Sequence, residues 1–183
     1  MKYEKTIFLK DGSECLLRSA GADDAQAVLD VFQLTHAQTE YLLTYPDESS
    51  FTLSQEQQFL AGQEESGKAV EICAFVGGQL AGTAGFEPVG TQEKVRHRAD
   101  FGIAIDRAFW RRGIGHALTE ACIQCARQAG YSQLELNVVA ENTGAIALYR
   151  RLGFTEYGRN PKGFRARGGR WQELVLMRLE LEP

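Results

Sequence analysis

Apolar residues recur along this chain at two spacings, every second position and every third or fourth, and the switches between them mark its elements. Lys5 to Lys10 has strand character, meets a turn at Asp11-Gly12 and continues as Glu14 to Arg18, which predicts a hairpin. Helical spacing follows from Asp23 to about Leu43, with Val28, Leu29, Phe32 and Thr35 or His36 on one face, until Tyr45-Pro46-Asp47 breaks it. Ser54-Gln-Glu-Gln57 has the form of a capping box and predicts a second helix to about Ser66. Two strand-like runs, Glu71 to Val76 and Leu80 to Glu87, then flank Gly77-Gly78, a two-residue hairpin turn.

Residues 88 to 94 form a polar connection, after which Val95 to Ile105 alternates. Ala99, Phe101, Ile103 and Ile105 fall on one face, and Arg98, Asp100, Gly102 and Ala104 on the other. His116 to Ala129 carries Ala117, Leu118, Ala121, Cys122, Cys125, Ala126 and Ala129 on one helical stripe and ends at Gly130. A strand over Gln133 to Val139 is followed by a short helix from about Thr143 to Leu152, closed by Gly153. Phe154 to Gly158 reads as extended, Arg159 to Arg170 as a loop and Trp171 to Leu181 as a last strand. Hairpins first, then strands alternating with helices, predict the mixed α/β (α+β) class, with helices flanking a partly splayed sheet. No repeat, low-complexity tract or linker divides residues 1 to 183, so a single domain is expected.

Composition narrows the functions. A net charge of −4 argues against nucleic acid as the main partner, because phosphate binding requires an excess of Lys and Arg. No run reaches the roughly 20 apolar residues of a membrane helix, and the N-terminus has no uninterrupted apolar core of a signal peptide. A cytoplasmic protein without a membrane partner is expected. Cys15, Cys73, Cys122 and Cys125 are too few and too scattered for a disulfide framework. Cys122-x-x-Cys125 lacks a second ligand pair and lies in the apolar stripe, so these two read as core thiols and no metal is expected.

The segment richest in chemistry joins the strand ending at Ile105 to Arg111-Arg112-Gly113-Ile114-Gly115, where a helix opens. A glycine turn leading into a helix N-terminus offers unpaired backbone N–H groups and the positive end of the helix dipole, an anion site suited to phosphate. A dinucleotide loop would need glycine where Leu118 stands, and a P-loop would need Gly-Lys-Ser/Thr where Leu118-Thr119-Glu120 stands. Both fail. The preceding arginine pair supplies the cations a pyrophosphate requires.

Arg112-Gly-Ile-Gly-His-Ala-Leu118 resembles the coenzyme-A pyrophosphate loop of the GNAT N-acetyltransferase superfamily, written Q/R-x-x-G-x-G/A, with Trp110 in place of the Gln or Arg. Downstream, Asn142-Thr-Gly-Ala-Ile-Ala-Leu-Tyr149-Arg-Arg-Leu-Gly153-Phe154 is similar to that family's N-x-x-A-I-x-L-Y-x-x-x-G-F segment. Without the resemblance, Asn142 reads as a helix N-cap, Tyr149 as half-buried packing and Gly153 as a C-terminal cap.

The resemblance implies the GNAT fold, with a mostly antiparallel sheet, and direct acetyl transfer from acetyl-CoA to an amine. It implies cofactor contacts from Ile103, Ala104 and Ile105 on a splayed strand, from Arg111, Arg112, Gly113, Ile114, Gly115, His116 and Ala117 at the loop, and from Asn142 and Tyr149. Tyr149 matches the family's general acid, and the oxyanion falls to a backbone N–H of Ile103 to Ile105. Asp100 stands where many relatives carry a glutamate base. A carboxylate near pKa 4 is mismatched to an amine near 10 by about six pH units, roughly 8 kcal/mol, so Asp100 needs burial or a relaying water. The other reading of Asp100 is a surface charge paired with Arg98 or Arg96. His116 either contacts a phosphate or is an exposed first-turn side chain.

For the acceptor, the fold points to a cleft lined by about Thr35 to Thr52 and the loop before the last strand. Glu40, Asp47 and Glu48 suit a cationic amine or are a solvated acidic face, while Arg159, Lys162, Arg165, Arg167 and Arg170 suit a carboxylate-bearing acceptor. Polyamine-like amine, amino acid, aminoglycoside and protein N-terminus all stay open, as does a monomer or homodimer. The alternative from another class is a CoA-binding regulatory module without catalysis.

Overall fold

A computed structural model describes residues 1–48 and 51–181. The first hairpin pairs β1 (Glu4–Phe8) with β2 (Glu14–Ser19). Helices α1 (Ala25–Gln38) and α2 (Leu53–Glu65) follow, then the hairpin of β3 (Val70–Val76) and β4 (Gln79–Pro88). Gly77 and Gly78 between them hold φ of 58° and 82°, the left-handed pair that a two-residue turn requires. β5 (Arg98–Ile105), α3 (Ile114–Gln128), β6 (Gln133–Val139), α4 (Thr143–Arg151), β7 (Thr155–Arg165) and β8 (Trp171–Glu180) complete the order. The eight strands form one sheet in the order β1-β2-β3-β4-β5-β6-β8-β7. Every pairing is antiparallel except β5 with β6. The expected mixed class and mostly antiparallel splayed sheet are what the chain forms.

Four boundaries differ from the sequence reading. α1 stops at Gln38 rather than near Leu43, because the Gln38 carboxamide leaves the helix to bond Asp106 and the Arg107 N–H. The capping box of α2 is Thr52 with Gln55, two residues ahead of the Ser54 pattern. β5 begins at Arg98, since Val95 to Arg98 are folded into a turn. The largest correction is β7, which runs through most of the expected Arg159–Arg170 loop and leaves a tight turn at Ala166 to Arg170. An edge strand with one open side tolerates arginines, glycine and Pro161, and a register shift between Asn160 and Phe164 accommodates the proline.

The core lies between the sheet and α3. Leu118, Ala121, Cys122, Cys125 and Ala126 are fully buried from the helix, against Ile72, Phe86, Leu134 and Met177 from the strands. Burial pushes the Cys122 thiol well above its ordinary pKa, so it stays protonated and inert. Replacing both Cys122 and Cys125 with Ala is expected to leave acetyl transfer insensitive to chelators and oxidants. It should cost about 1–3 kcal/mol of stability by denaturant titration, from the lost packing. Stoichiometric zinc in the wild type, absent from the double variant, would overturn the packing role.

Candidate active site

β5 and β6 run parallel for three residue pairs, Arg98–Gln133, Ala99–Leu134 and Asp100–Glu135, and then part. β5 stays paired with β4 to its end, Gly82 against Ile105. The Asp106 N–H bonds the Ala81 carbonyl, so even-numbered residues of β5 aim their backbone groups at β4. By the same parity the N–H and C=O of Ile103 and Ile105 point into the gap that β6 has left. That gap is a strand edge inside a sheet, open to an extended ligand that would pair as a strand does.

At the end of the gap the chain turns into α3 through Arg111 (φ 62°) and Gly113 (φ 104°). The first helical bond runs from the Ala117 N–H to the Gly113 carbonyl. Ala117 therefore has no amide left for a phosphate, contrary to the sequence expectation, while helix geometry leaves the N–H groups of Ile114, Gly115 and His116 free. A Cβ built on Gly113 would meet nothing within 4 Å, so the space beside this turn is open to a ligand. Gly115 is small for a different reason: a Cβ there would press on Leu148 of α4 at 3.3 Å and Ile105 at 3.4 Å. The Ile114 side chain is buried in the core.

The two arginines divide. Arg112 is held by Asp11 at 2.7 Å and the Ser13 hydroxyl at 2.8 Å, and its guanidinium lies over Phe109. It braces the loop against the first hairpin. Arg111 is exposed. His116 is half-exposed, 3.7 Å from Glu120 one turn along. Trp110, at the position that departs from the family motif, donates its indole N–H to the Ile105 carbonyl at 2.7 Å and so ends the free edge of β5.

Tyr149 packs from α4 against β5. Its ring is 6 % exposed and packs edge-on to Phe101 of β5 and obliquely on Phe154. Burial holds its phenol far above the ordinary tyrosine pKa, so it carries its proton throughout the physiological range. Asn142 caps α4 by accepting from the Ala145 N–H at 3.3 Å, which leaves its NH₂ group available.

On the other face of β5, Asp100 lies between Glu87 and Glu135 in register on the neighbouring strands. Its carboxyl is raised by desolvation first, then by Glu135 and Glu87. The expected alternative, a pair with Arg98 or Arg96, is not formed. Arg98 makes a two-pronged ion pair with Glu135, and Arg96 lies by Glu93.

The charged groups around the acceptor cleft also divide, although Ser49 and Ser50 of the Thr35–Thr52 stretch lie outside the described residues. Arg167 binds Asp47 at 2.6 Å and stacks on Tyr45, whose hydroxyl accepts from its N–H. Arg159 pairs with Glu156 and Glu173, Arg170 with Glu141, and Lys162 and Arg165 lie over Trp171. Arg159, Lys162 and Arg165 are thus engaged within the hairpin, while Arg167 and Arg170 tie its turn to residues outside it. Sequence reasoning missed Gln38, whose contacts with Asp106 and Arg107 tie α1 to the turn before α3. A bond across 68 residues leaves no local pattern.

A sheet opened at one strand pair, with a helix N-terminus at the end of the gap, suits an extended ligand that carries phosphate. The chain belongs to the acetyltransferase (GNAT) family, whose model matches residues 30–154. It is similar to the L-methionine sulfoximine/L-methionine sulfone acetyltransferase of Pseudomonas paraeruginosa, at 25% identity over 91% of this chain and 95% of that one. A crystal structure of a GNAT-family acetyltransferase from Streptococcus pneumoniae superposes with a TM-score of 0.87 and 27% identity, over 91% of this chain and 99% of that one. The Salmonella typhimurium yncA structure, which holds its cofactor acetyl-CoA, shares the fold at a TM-score of 0.81 and 20% identity, over 92% and 94% of the two chains. The chain is an acetyl-CoA-dependent N-acetyltransferase acting on an amine. No group of His, Cys, Asp and Glu suited to a metal occurs among the described residues, nor a helix long and apolar enough to cross a membrane.

Proposed function

We propose that this enzyme passes the acetyl group directly from acetyl-CoA to a small primary amine, with Tyr149 as the acid and Asp100 as the proton acceptor. The observation that carries this reading is the parting of β5 from β6 after Asp100, with Tyr149 on one side of the gap and Asp100 on the other face of β5. Pyrophosphate binding falls to the N–H groups of Ile114, Gly115 and His116 with the Arg111 cation, and the Arg112 amide and Gly113 shape the turn. Ile103 and Ile105 present the backbone edge along which the pantetheine arm lies, Ala104 between them turns its backbone groups to β4, and the Asn142 amide meets the arm from α4.

The amine nitrogen adds to the thioester carbonyl, whose π electrons pass to oxygen, and the resulting tetrahedral oxyanion collapses with cleavage of the carbon–sulfur bond. The N–H of Ile103 or Ile105 receives the oxyanion, and Tyr149 gives its proton to the departing sulfur. Asp100 takes the proton lost by the amine through an ordered water, its raised pKa narrowing the mismatch with the ammonium. The relative named above acts on L-methionine sulfoximine and L-methionine sulfone, and such an acceptor is one member of the small-amine class. A cytoplasmic place of work fits the four free thiols.

Asp100→Asn is expected to lower kcat about 10²-fold, at the lower end of the range for a positioned proton acceptor, with CoA affinity unchanged. In the wild type the carboxylate form is the active one. Activity should therefore fall as pH drops through the raised Asp100 pKa, and this acid limb in kcat should vanish in the variant. Stopped assays of CoA release across pH test it, and an unchanged limb in Asp100→Asn would remove Asp100 from the mechanism.

A further inference from the structure

On the face of the sheet opposite α3, a cavity of about 380 Å³ lies beneath α1 and α2. Val28, Leu29 and Phe32 of α1 and Phe59 of α2 make its walls apolar. Glu71, Thr83 and Ala104 form its floor across β3, β4 and β5. Thr83 and Ala104 are register partners, so the cavity ends against the strand segment that faces the gap. The ionisable residues lining it are Glu48, Glu56 and Glu71, all acidic.

Glu56 is 7 % exposed, and burial alone acts on its carboxyl, raising its pKa with no cation to offset it. Thr83 lines the cavity beside Glu71, and the charges that act on Glu71 are Glu56 from α2 and Glu87 from β4. Burial and these two carboxylates push it up to about 7. Its carboxyl occupies the space over Gly85, where a Cβ would lie 2.3 Å from Oε2. Gly85 in turn pairs with Gly102 of β5, one strand from the gap. Desolvated carboxylates without a counter-ion are unfavourable, and a cation of the right size would relieve them.

We propose that this cavity holds the acetyl acceptor as a primary amine on an apolar aliphatic or aryl group, without a carboxylate, its ammonium seated on Glu71. This rests on the acetyl-transfer reading above and narrows its acceptor. The three carboxylates repel a negative charge on the acceptor, and the apolar walls suit an apolar body. A carboxylate on the acceptor would face Glu48, Glu56 and Glu71. The nearby hairpin cations that could have received it are paired elsewhere, Arg167 with Asp47 and Arg170 with Glu141.

The test uses the full chain with acetyl-CoA and two acceptors, 2-phenylethylamine and L-phenylalanine. The expected kcat/KM for 2-phenylethylamine exceeds that for L-phenylalanine at least about tenfold, since the carboxylate of the latter would face three glutamates. Glu71→Gln keeps the shape and should raise KM for 2-phenylethylamine about 10–100-fold while CoA affinity is unchanged. In the wild type that KM should fall as pH rises through about 7, because Glu71 gains its charge while the amine keeps its own; in Glu71→Gln it should be flat. Equal or better turnover of L-phenylalanine, or an unaltered KM in Glu71→Gln, overturns the proposal and leaves acetyl transfer standing. The acceptor comparison needs only the wild-type protein, so it decides even if the variant does not fold. Binding of acetyl-CoA without acetylation of any amine would sink the parent reading instead.

Discussion

Tyr149→Phe is expected to lower kcat by about 10²–10⁴-fold, the range for loss of one positioned acid. The variant keeps the ring and with it the contacts to Phe101 and Phe154, so its Tm should stay close to that of the wild type. CoA affinity should change little, because the hydroxyl acts on sulfur as charge develops there rather than on the ground state. The buried phenol holds its proton far above neutral pH, so the wild type should show no loss of activity from Tyr149 ionisation below pH 10. The loss in the variant should be greatest for acceptors whose rate is set by thiolate departure. Single-turnover CoA release with a thiol reagent, alongside CoA titration, measures both quantities. Wild-type turnover by Tyr149→Phe with chemistry rate-limiting would assign the proton to another donor.

Gly113→Val should weaken acetyl-CoA binding by about 10²–10⁴-fold. The residue holds φ at 104°, a conformation that a β-branched side chain does not share, so the turn must change shape or carry strain of about 1–3 kcal/mol. A reshaped turn moves the N–H groups of Ile114 and Gly115 off the pyrophosphate. Two hydrogen bonds to a charged group, at about 1.5–3 kcal/mol each, account for the expected loss. No protein atom lies within 4 Å of a Cβ at this position, so the core is untouched and the variant should fold. Gly115→Val differs, since its side chain would enter the contact with Leu148 and Ile105 and should lower Tm as well as affinity. Calorimetric titration with CoA and thermal melts of both variants separate the two causes. Wild-type affinity in Gly113→Val would show that the turn does not bind the pyrophosphate.

Local sequence determined the elements and the two motifs, because turns, caps and amphipathic stripes depend on residues a few positions apart. Gly77-Gly78 could close a hairpin with no help from the rest of the chain, Asn142 could cap its own helix, and the stripe from Leu118 to Ala126 could face only a core. The glycine turn into α3 was legible for the same reason. What required the tertiary structure was every relation across the sheet. An edge position lets β7 remain a strand through arginines and a proline that read as loop. Arg112 immediately precedes the glycine turn in sequence, yet Asp11 and Ser13, about a hundred residues away, decide where its charge goes. Register set Asp100 between Glu87 and Glu135, and gave Arg98 to Glu135 instead. Glu56, Glu71 and Ala104 share one cavity only because α2, β3 and β5 pack together, and the pKa of a carboxyl is set by such neighbours and by lost water, neither of which its own segment encodes.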